Sequence, residues 1–156
     1  MEISGMAHVI ITAGNFAASS AFHRQLLPSM GMTIVEDNSE IFYCVGARTA
    51  FGVRKPADAH AGERANQWRA GLHHYCFRAK TRETVDEVHD LVSRIGGTIV
   101  HVPEEGPWAP GYYSVLFEDP DGIRIEANHV PGQGLLAPGL GQVGSKDKIW
   151  DQGPND

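Results

Sequence analysis

Apolar and polar positions alternate most regularly over residues 113–128, Tyr-Ser-Val-Leu-Phe-Glu-Asp-Pro-Asp-Gly-Ile-Arg-Ile-Glu-Ala-Asn. Period-two alternation predicts two short strands, and Asp119-Pro120-Asp121-Gly122 predicts the tight turn between them, Pro presetting φ and Gly admitting φ > 0. In the second strand Ile123, Ile125 and Ala127 point one way and Arg124, Glu126 and Asn128 the other. A carboxylate in the middle of a half-buried strand is costly unless paired or bound to a cation, so Glu126 needs a partner.

The rest of the chain reads as two passes through one order of elements. Residues 8–12 form a strand by β-branched content, and 16–27 a helix with Ala18, Phe22 and Leu26 at four-residue spacing, ended by Pro28 with Gly31 as the exit turn. Strands follow at 32–35, 41–45 and 49–54. Residues 55–71 are polar and aperiodic, a linker with at most one helical turn. The order then repeats, with a strand at 73–79 and a helix at 81–95 that carries Val85, Val88, Val92 and Ile95 on one face. Acidic residues open that helix, Gly96-Gly97 close it, and strands at 98–102, 112–117 and 123–128 complete the second pass.

His8 and Gly31 stand 23 positions apart, and so do His74 and Gly97. The repeat predicts an α+β fold of paired βαβββ modules, at about 8–55 and 73–128, forming a concave mixed sheet with helices outside. Both modules would lie in one domain, 1–130, followed by a Gly/Pro-rich C-terminal tail, 131–156. Leu135, Leu136, Leu140, Ile149 and Trp150 suit a tail that wraps a surface, such as a partner subunit.

Composition narrows the function classes. At 156 residues with 42% hydrophobic content, the chain supports one real core. A formal net charge of −6, with no basic run interleaved with aromatics, argues against nucleic acid as a partner. No apolar stretch approaches the roughly 20 residues of a membrane helix and no signal-peptide pattern opens the chain, so a soluble, cytoplasmic protein is expected. Cys44 and Cys76 lie in apolar runs and read as free thiols.

Chemistry centres on Glu126 and the two histidines that the repeat sets in equivalent places. If residues 73–79 are a strand with the aromatic His73, Tyr75 and Phe77 packed on the helix, His74 faces the concave side, and His8 does so in the first module. Two imidazoles and one carboxylate suit Fe(II), Mn(II), Ni(II) or Zn(II), with positions left open for substrate or water. The plainer readings are a hydrogen-bonded surface or core His, and Glu126 paired with Arg78 or Arg124. His23, His89 and His101 read as helix or strand surface residues. Trp108-Ala109-Pro110-Gly111-Tyr112 reads either as a lid over an apolar ligand or as a turn packed on the surface. Arg54, Arg78, Arg124 and Asn128, with Trp108, are the candidate substrate-binding residues, and a plain surface position is the default reading for each of the first four.

Three stretches together resemble the vicinal oxygen chelate superfamily, which includes glyoxalase I, extradiol dioxygenases, methylmalonyl-CoA epimerase and the fosfomycin- and bleomycin-resistance proteins. They are His8-Val9-Ile10 before a helix ending in Leu27-Pro28-Ser29-Met30-Gly31-Met32, then Gly71-Leu72-His73-His74-Tyr75-Cys76-Phe77, and Phe117 through Glu126. The resemblance covers about residues 6–130. It implies a divalent metal ion held by His8, His74 and Glu126, a small-molecule substrate chelating it through neighbouring oxygens, and a homodimer. Departures from individual members matter. The last strand of the first module, Thr49-Ala50-Phe51-Gly52-Val53-Arg54, lacks the second glutamate that glyoxalase I uses. Leu116 stands where extradiol enzymes carry a Tyr, and Ile10 where fosfomycin enzymes carry a Thr.

The expected function is a metal-dependent glyoxalase-like enzyme of lyase or isomerase type, with Tyr112, His101 or a metal-bound hydroxide as acid–base group. The alternatives are an Fe(II) extradiol-type dioxygenase and a non-catalytic drug- or metabolite-binding resistance protein.

Overall fold

The computed structural model describes residues 2, 3, 5–46 and 48–134. The tail positions that suggested a wrapping segment therefore lie outside the described residues. By compactness the chain divides into two units, the first Met1–Ala65 with Arg94–Gly97 and Asp119–Ile123, the second Asn66–Ser93, Thr98–Glu118 and Arg124–Asp156. Each contains one βαβββ module, and the two mixed four-stranded sheets with their two helices make the expected α+β fold.

In unit 1 the elements are β1 (His8–Thr12), α1 (Phe16–Ser29), β2 (Thr33–Asp37), β3 (Ile41–Gly46) and β4 (Thr49–Arg54). The sheet order is β1-β4-β3-β2, β1 running parallel to β4 and the other pairs antiparallel. A parallel pair needs a long crossover, which the helix and the β2–β3 hairpin supply. Alternation decides the faces: Ile11, Phe42, Cys44, Phe51 and Val53 are buried with Phe22, Leu26 and Leu27 of α1, which packs against β2, β3 and β4. Each fully buried large apolar side chain contributes roughly 1.5–3 kcal/mol.

Pro28 lies inside the last turn of α1 instead of ending it. A proline there forfeits only its own N–H bond, while the Met30 and Met32 N–H groups still close on Leu27 O at 3.1 Å. The helix stops at Gly31, whose φ of +84° is one that an L side chain rarely adopts. His23, expected on the helix surface, is fully buried. Its ring stacks on Phe51 with centroids 5.2 Å apart, and its Nδ1 donates to Ser19 O at 2.8 Å.

The predicted turn, Asp119-Pro120-Asp121-Gly122, belongs to unit 1 together with Ile123, which precedes the last strand instead of opening it. The Asp121 carboxylate accepts the Gly14 N–H at 2.8 Å and the Asn15 N–H at 2.9 Å, at the start of α1. Asp119 accepts from Ser19 Oγ at 2.5 Å and from the Asp121 and Ile123 N–H groups at 2.9 Å.

Unit 2 holds β5 (Tyr75–Arg78), α2 (Arg82–Ile95), β6 (Thr98–Glu105), β7 (Tyr113–Glu118) and β8 (Arg124–His129), the last two residues of α2 counting with unit 1. Its sheet order, β5-β8-β7-β6, repeats that of the first, again with the first and last strands parallel. Thr81 caps α2 through its hydroxyl, which accepts the Thr84 N–H. Val85, Val88 and Val92 form its buried stripe. The buried apolar strand residues are Tyr75, Val115, Phe117, Ile125 and Ala127, and Ser114 and Glu126 are buried polar ones. The strand expected at 73–79 begins only at Tyr75, so His73 and His74 precede it. The 55–71 stretch carries a single 3-10 turn, Asp58–His60.

Candidate functional site

Alternation along β8 fixes the site in unit 2. Because Ile125 and Ala127 are buried, Arg124, Glu126 and Asn128 occupy the opposite face. Register sets Cys76 and Leu116 beside Glu126, with His101 beyond Leu116. Neither Arg78 nor Arg124 is the partner of Glu126. Its Oε2 lies 3.3 Å from His74 Nε2 and its Oε1 accepts a short hydrogen bond from the Tyr112 hydroxyl. That hydroxyl in turn accepts from Asn128 Nδ2 at 2.8 Å. Burial alone would raise the Glu126 pKa, but hydrogen bonds from His74, Tyr112 and Ser114 outweigh it, so the group is held below its ordinary value as a carboxylate. Burial first, and the bond to Glu126 second, raise the Tyr112 pKa, so its proton stays on the phenol.

Tyr112 is placed by a folded loop. Gly106 N–H donates to Tyr112 O and Tyr112 N–H to Ala109 O, both at 3.0 Å. A methyl on Gly106 would come within 2.9 Å of the Trp108 ring and 3.1 Å of the Tyr112 ring. Gly106→Ala is therefore expected to displace both rings, costing about 1–2 kcal/mol and loosening the Tyr112–Glu126 bond. The checks are a denaturation midpoint and the NMR-detected pKa of Glu126, which should rise when a donor to its charged form is withdrawn.

The other predicted residues divide by what holds them. His73 Nδ1 is 2.7 Å from His74 Nδ1, so one imidazole carries a proton between them and the pair share their tautomers. Burial, with the neighbouring His74 and Arg124, lowers the His73 pKa. Arg124 is engaged by Glu118 at 3.0 Å and, with the Gln67 amide turned to its satisfied orientation, by Gln67 as well. Arg78 is exposed on β5. Trp108 is half-buried, 6.4 Å from the Tyr112 ring. His101 lies on the same face as Glu126 but two strands away, about 10 Å by strand spacing, its Nδ1 bonded to Val102 O. The Cys76 thiol is pushed up by desolvation and by the Glu126 charge and stays protonated. His8 and Arg54 are exposed at the start of β1 and the end of β4 in unit 1.

Two donors fit a metal ion. Ligands about 2.1 Å from a tetrahedral or octahedral ion lie about 3.0–3.4 Å apart, and His74 Nε2 and Glu126 Oε2 are 3.3 Å apart. Among the described residues no group of three His, Cys, Asp or Glu side chains forms a cluster that could hold one.

Ser114, Gly106, His73 and Gln67 were missed in the sequence. Ser114 was within reach, because alternation in β7 sets it on the Glu126 side of the sheet, opposite Asn128.

The model of the Glyoxalase/Bleomycin resistance protein/Dioxygenase superfamily matches residues 5–127. The chain belongs to this superfamily. A protein from Bacillus halodurans, described as a glyoxalase, is 27% identical, with a TM-score of 0.70 over 81% of this chain and 96% of its own. Two other superfamily structures share the fold: a glyoxalase/bleomycin resistance protein from Albidiferax ferrireducens T118, 23% identical, TM-score 0.65, covering 81% and 98% of the two chains, and the lactoylglutathione lyase of Agrobacterium tumefaciens, 22% identical, TM-score 0.62, covering 83% and 96%. A comparison with curated proteins yields no match. Among the described residues no helix is long and apolar enough to cross a membrane. Within the superfamily's paired modules, β8 of this chain carries Glu126, whereas β4 has Gly52 at the corresponding register position, beside Ile10 as Glu126 is beside Cys76.

Proposed function

We propose that this member of the superfamily is a metal-dependent enzyme of glyoxalase-like type, a lyase or isomerase, acting on a small substrate that chelates a divalent ion through neighbouring oxygens. The observation that carries the reading is the convergence of His74 Nε2 and Glu126 Oε2 at 3.3 Å, with Glu126 held as a carboxylate. His74 and Glu126 would be two of the protein ligands and His8 the third. The ion, Fe, Mn, Ni or Zn, supplies a Lewis acid for an oxyanion on the substrate. Tyr112 keeps its proton and fixes Glu126, so it acts as a donor, whereas His101 is the candidate base. Asn128 orients the Tyr112 hydroxyl. Arg54, Arg78, Arg124 and Trp108 are the proposed substrate contacts, with Arg124 acting from its Glu118 pair. The reading takes residues 1–130 as one domain, in a soluble, cytoplasmic homodimer.

Elemental analysis of protein purified without added metal or chelator tests it, for wild type beside His8→Ala, His74→Ala and Glu126→Ala. Near-stoichiometric metal in the wild type, lost in all three variants, is the expected result. Wild type that stays empty after anaerobic loading with Fe(II), Mn(II), Ni(II) and Zn(II) would leave a metabolite-binding protein as the better account.

A further inference from the structure

The two sheets have diverged on their helix-free faces. In unit 2 the central strand β8 presents Arg124, Glu126 and Asn128 there. In unit 1 the matching strand β4 presents Ala50, Gly52 and Arg54, flanked by Ile10 of β1 and by Tyr43 and Val45 of β3. The place of the ligating carboxylate is thus taken by a glycine, and that glycine is covered. A methyl on Gly52 would lie 2.7 Å from Tyr43 Cδ2, 3.3 Å from its Cε2 and 3.4 Å from Ile10 Cγ1. The Tyr43 ring therefore lies over the backbone of β4 instead of standing away from the sheet, and only glycine lets it do so.

The result is a floor that is apolar at its centre, with His8 of β1 beside Ala50, Glu36 of β2 beside Tyr43 and Arg54 at the end of β4. Ile10 is 48% and Val45 41% exposed, while Ala50 and Gly52 between them are buried and too short to rise above the strand. Arg54 is the one long side chain on this face of β4. It is exposed and, among the described residues, forms no ion pair or side-chain hydrogen bond. β4 places it two residues, about 7 Å, beyond the centre of the Tyr43-covered floor. An aromatic surface offers dispersion and stacking to a flat group, and a free guanidinium offers paired donors to a carboxylate or phosphate.

We infer that this face of the first sheet is a binding subsite for a planar apolar group that carries an oxyanion, the group lying on Tyr43 and Ile10 and its anionic end paired with Arg54. This names the substrate class for the proposed enzyme and so rests on that reading of the chain as a small-molecule enzyme, but it uses none of the proposed metal ligands. A ligand of this kind is favoured over a second copy of the chain because the floor ends at an unpaired cation, which an apolar protein face would leave buried without compensation.

The test is titration of the full chain with three probes, followed by NMR: cinnamate, flat and anionic; acetate, anionic without a ring; and cinnamyl alcohol, flat and neutral. Cinnamate is expected to bind at least about tenfold tighter than either control. Arg54→Gln, which disturbs nothing buried, should bring cinnamate to the level of cinnamyl alcohol. Tyr43→Ala should weaken the two ring-bearing probes several-fold and leave acetate unchanged. The same titration of chelator-treated, metal-free wild type separates this inference from the metal reading: a cinnamate preference retained there supports the subsite, and one lost there overturns it, while the metal proposal stands or falls by the elemental analysis. Equal cinnamate affinity in wild type, Arg54→Gln and Tyr43→Ala would overturn the inference. So would a wild-type dimer that binds no probe and is dissociated by Ile10→Glu, since the face would then be an interface.

Discussion

Asp121→Ala is expected to destabilise the protein by about 3 kcal/mol, the loss of two charge-assisted hydrogen bonds to backbone. The residue is 2% exposed and its two carboxylate oxygens take the N–H groups of Gly14 and Asn15. Those donors sit where α1 begins, and Asn15 serves as its cap, its side chain accepting from Ala18 N at 3.2 Å. A negative charge there also complements the positive end of the helix dipole. The cost is not larger because a pocket of about 460 Å³, bordered by Phe16, Arg64 and Asp121 itself, gives water access to the vacated donors. Asp121→Asn keeps one acceptor and should lose about half as much. Urea denaturation of the three proteins measures this, and an alanine variant within about 0.5 kcal/mol of wild type would show that the turn does not hold the helix.

Acidification should expose a second buried group. His23 is fully buried and desolvation drops its pKa from 6.5 to about 4, the bond to Ser19 O only partly opposing this. The unfolded chain then binds a proton that the folded chain refuses. His23 therefore contributes stability fully above pH 6.5, lost as pH falls toward 4, by about 3 kcal/mol in all. Asp119, 3.9 Å away, has its pKa raised by burial. Its contribution has the opposite pH dependence: it is present at low pH and lost as pH rises through the folded pKa. The net loss should thus be steepest in the upper part of the His23 window. His23→Asn, which can keep a donor toward Ser19 O without a titrating ring, should flatten the curve there. Equal slopes for wild type and variant between neutral pH and about 4.5 would refute the assignment.

Both predictions rest on residues that the sequence alone made only half legible. Glu126 stood out because Ile125 and Ala127 fix its face locally, and nothing beyond strand periodicity was needed. The repeat was equally local, each half showing one strand, one helix and three strands. His23 was misread because Ala18, Phe22 and Leu26 already describe a sufficient apolar stripe. What widens the buried face to take in Ser19 and His23 is Asp119, 100 positions from Ser19, a partner no helical period announces. His73 and His74 were read as alternating strand residues with opposite directions. Outside the strand they are free of that alternation, and their rings meet. Arg124 shares the Glu126 face as expected, yet Glu118 lies directly across the strand pair and claims it.

The turn at Asp119–Ile123 also has a bearing on the order in which the chain becomes stable. Gly14 and the carboxylate it donates to are 107 positions apart, so unit 1 is not a continuous stretch of polypeptide. During synthesis from the N-terminus, β1 to β4 and α1 are all complete by Arg54, but the start of α1 keeps its bare N–H groups until residue 121 has also been made. Such long-range closure slows folding. A nascent chain of the first 118 residues should consequently hold its first module loosely, and translation of five more residues should tighten it.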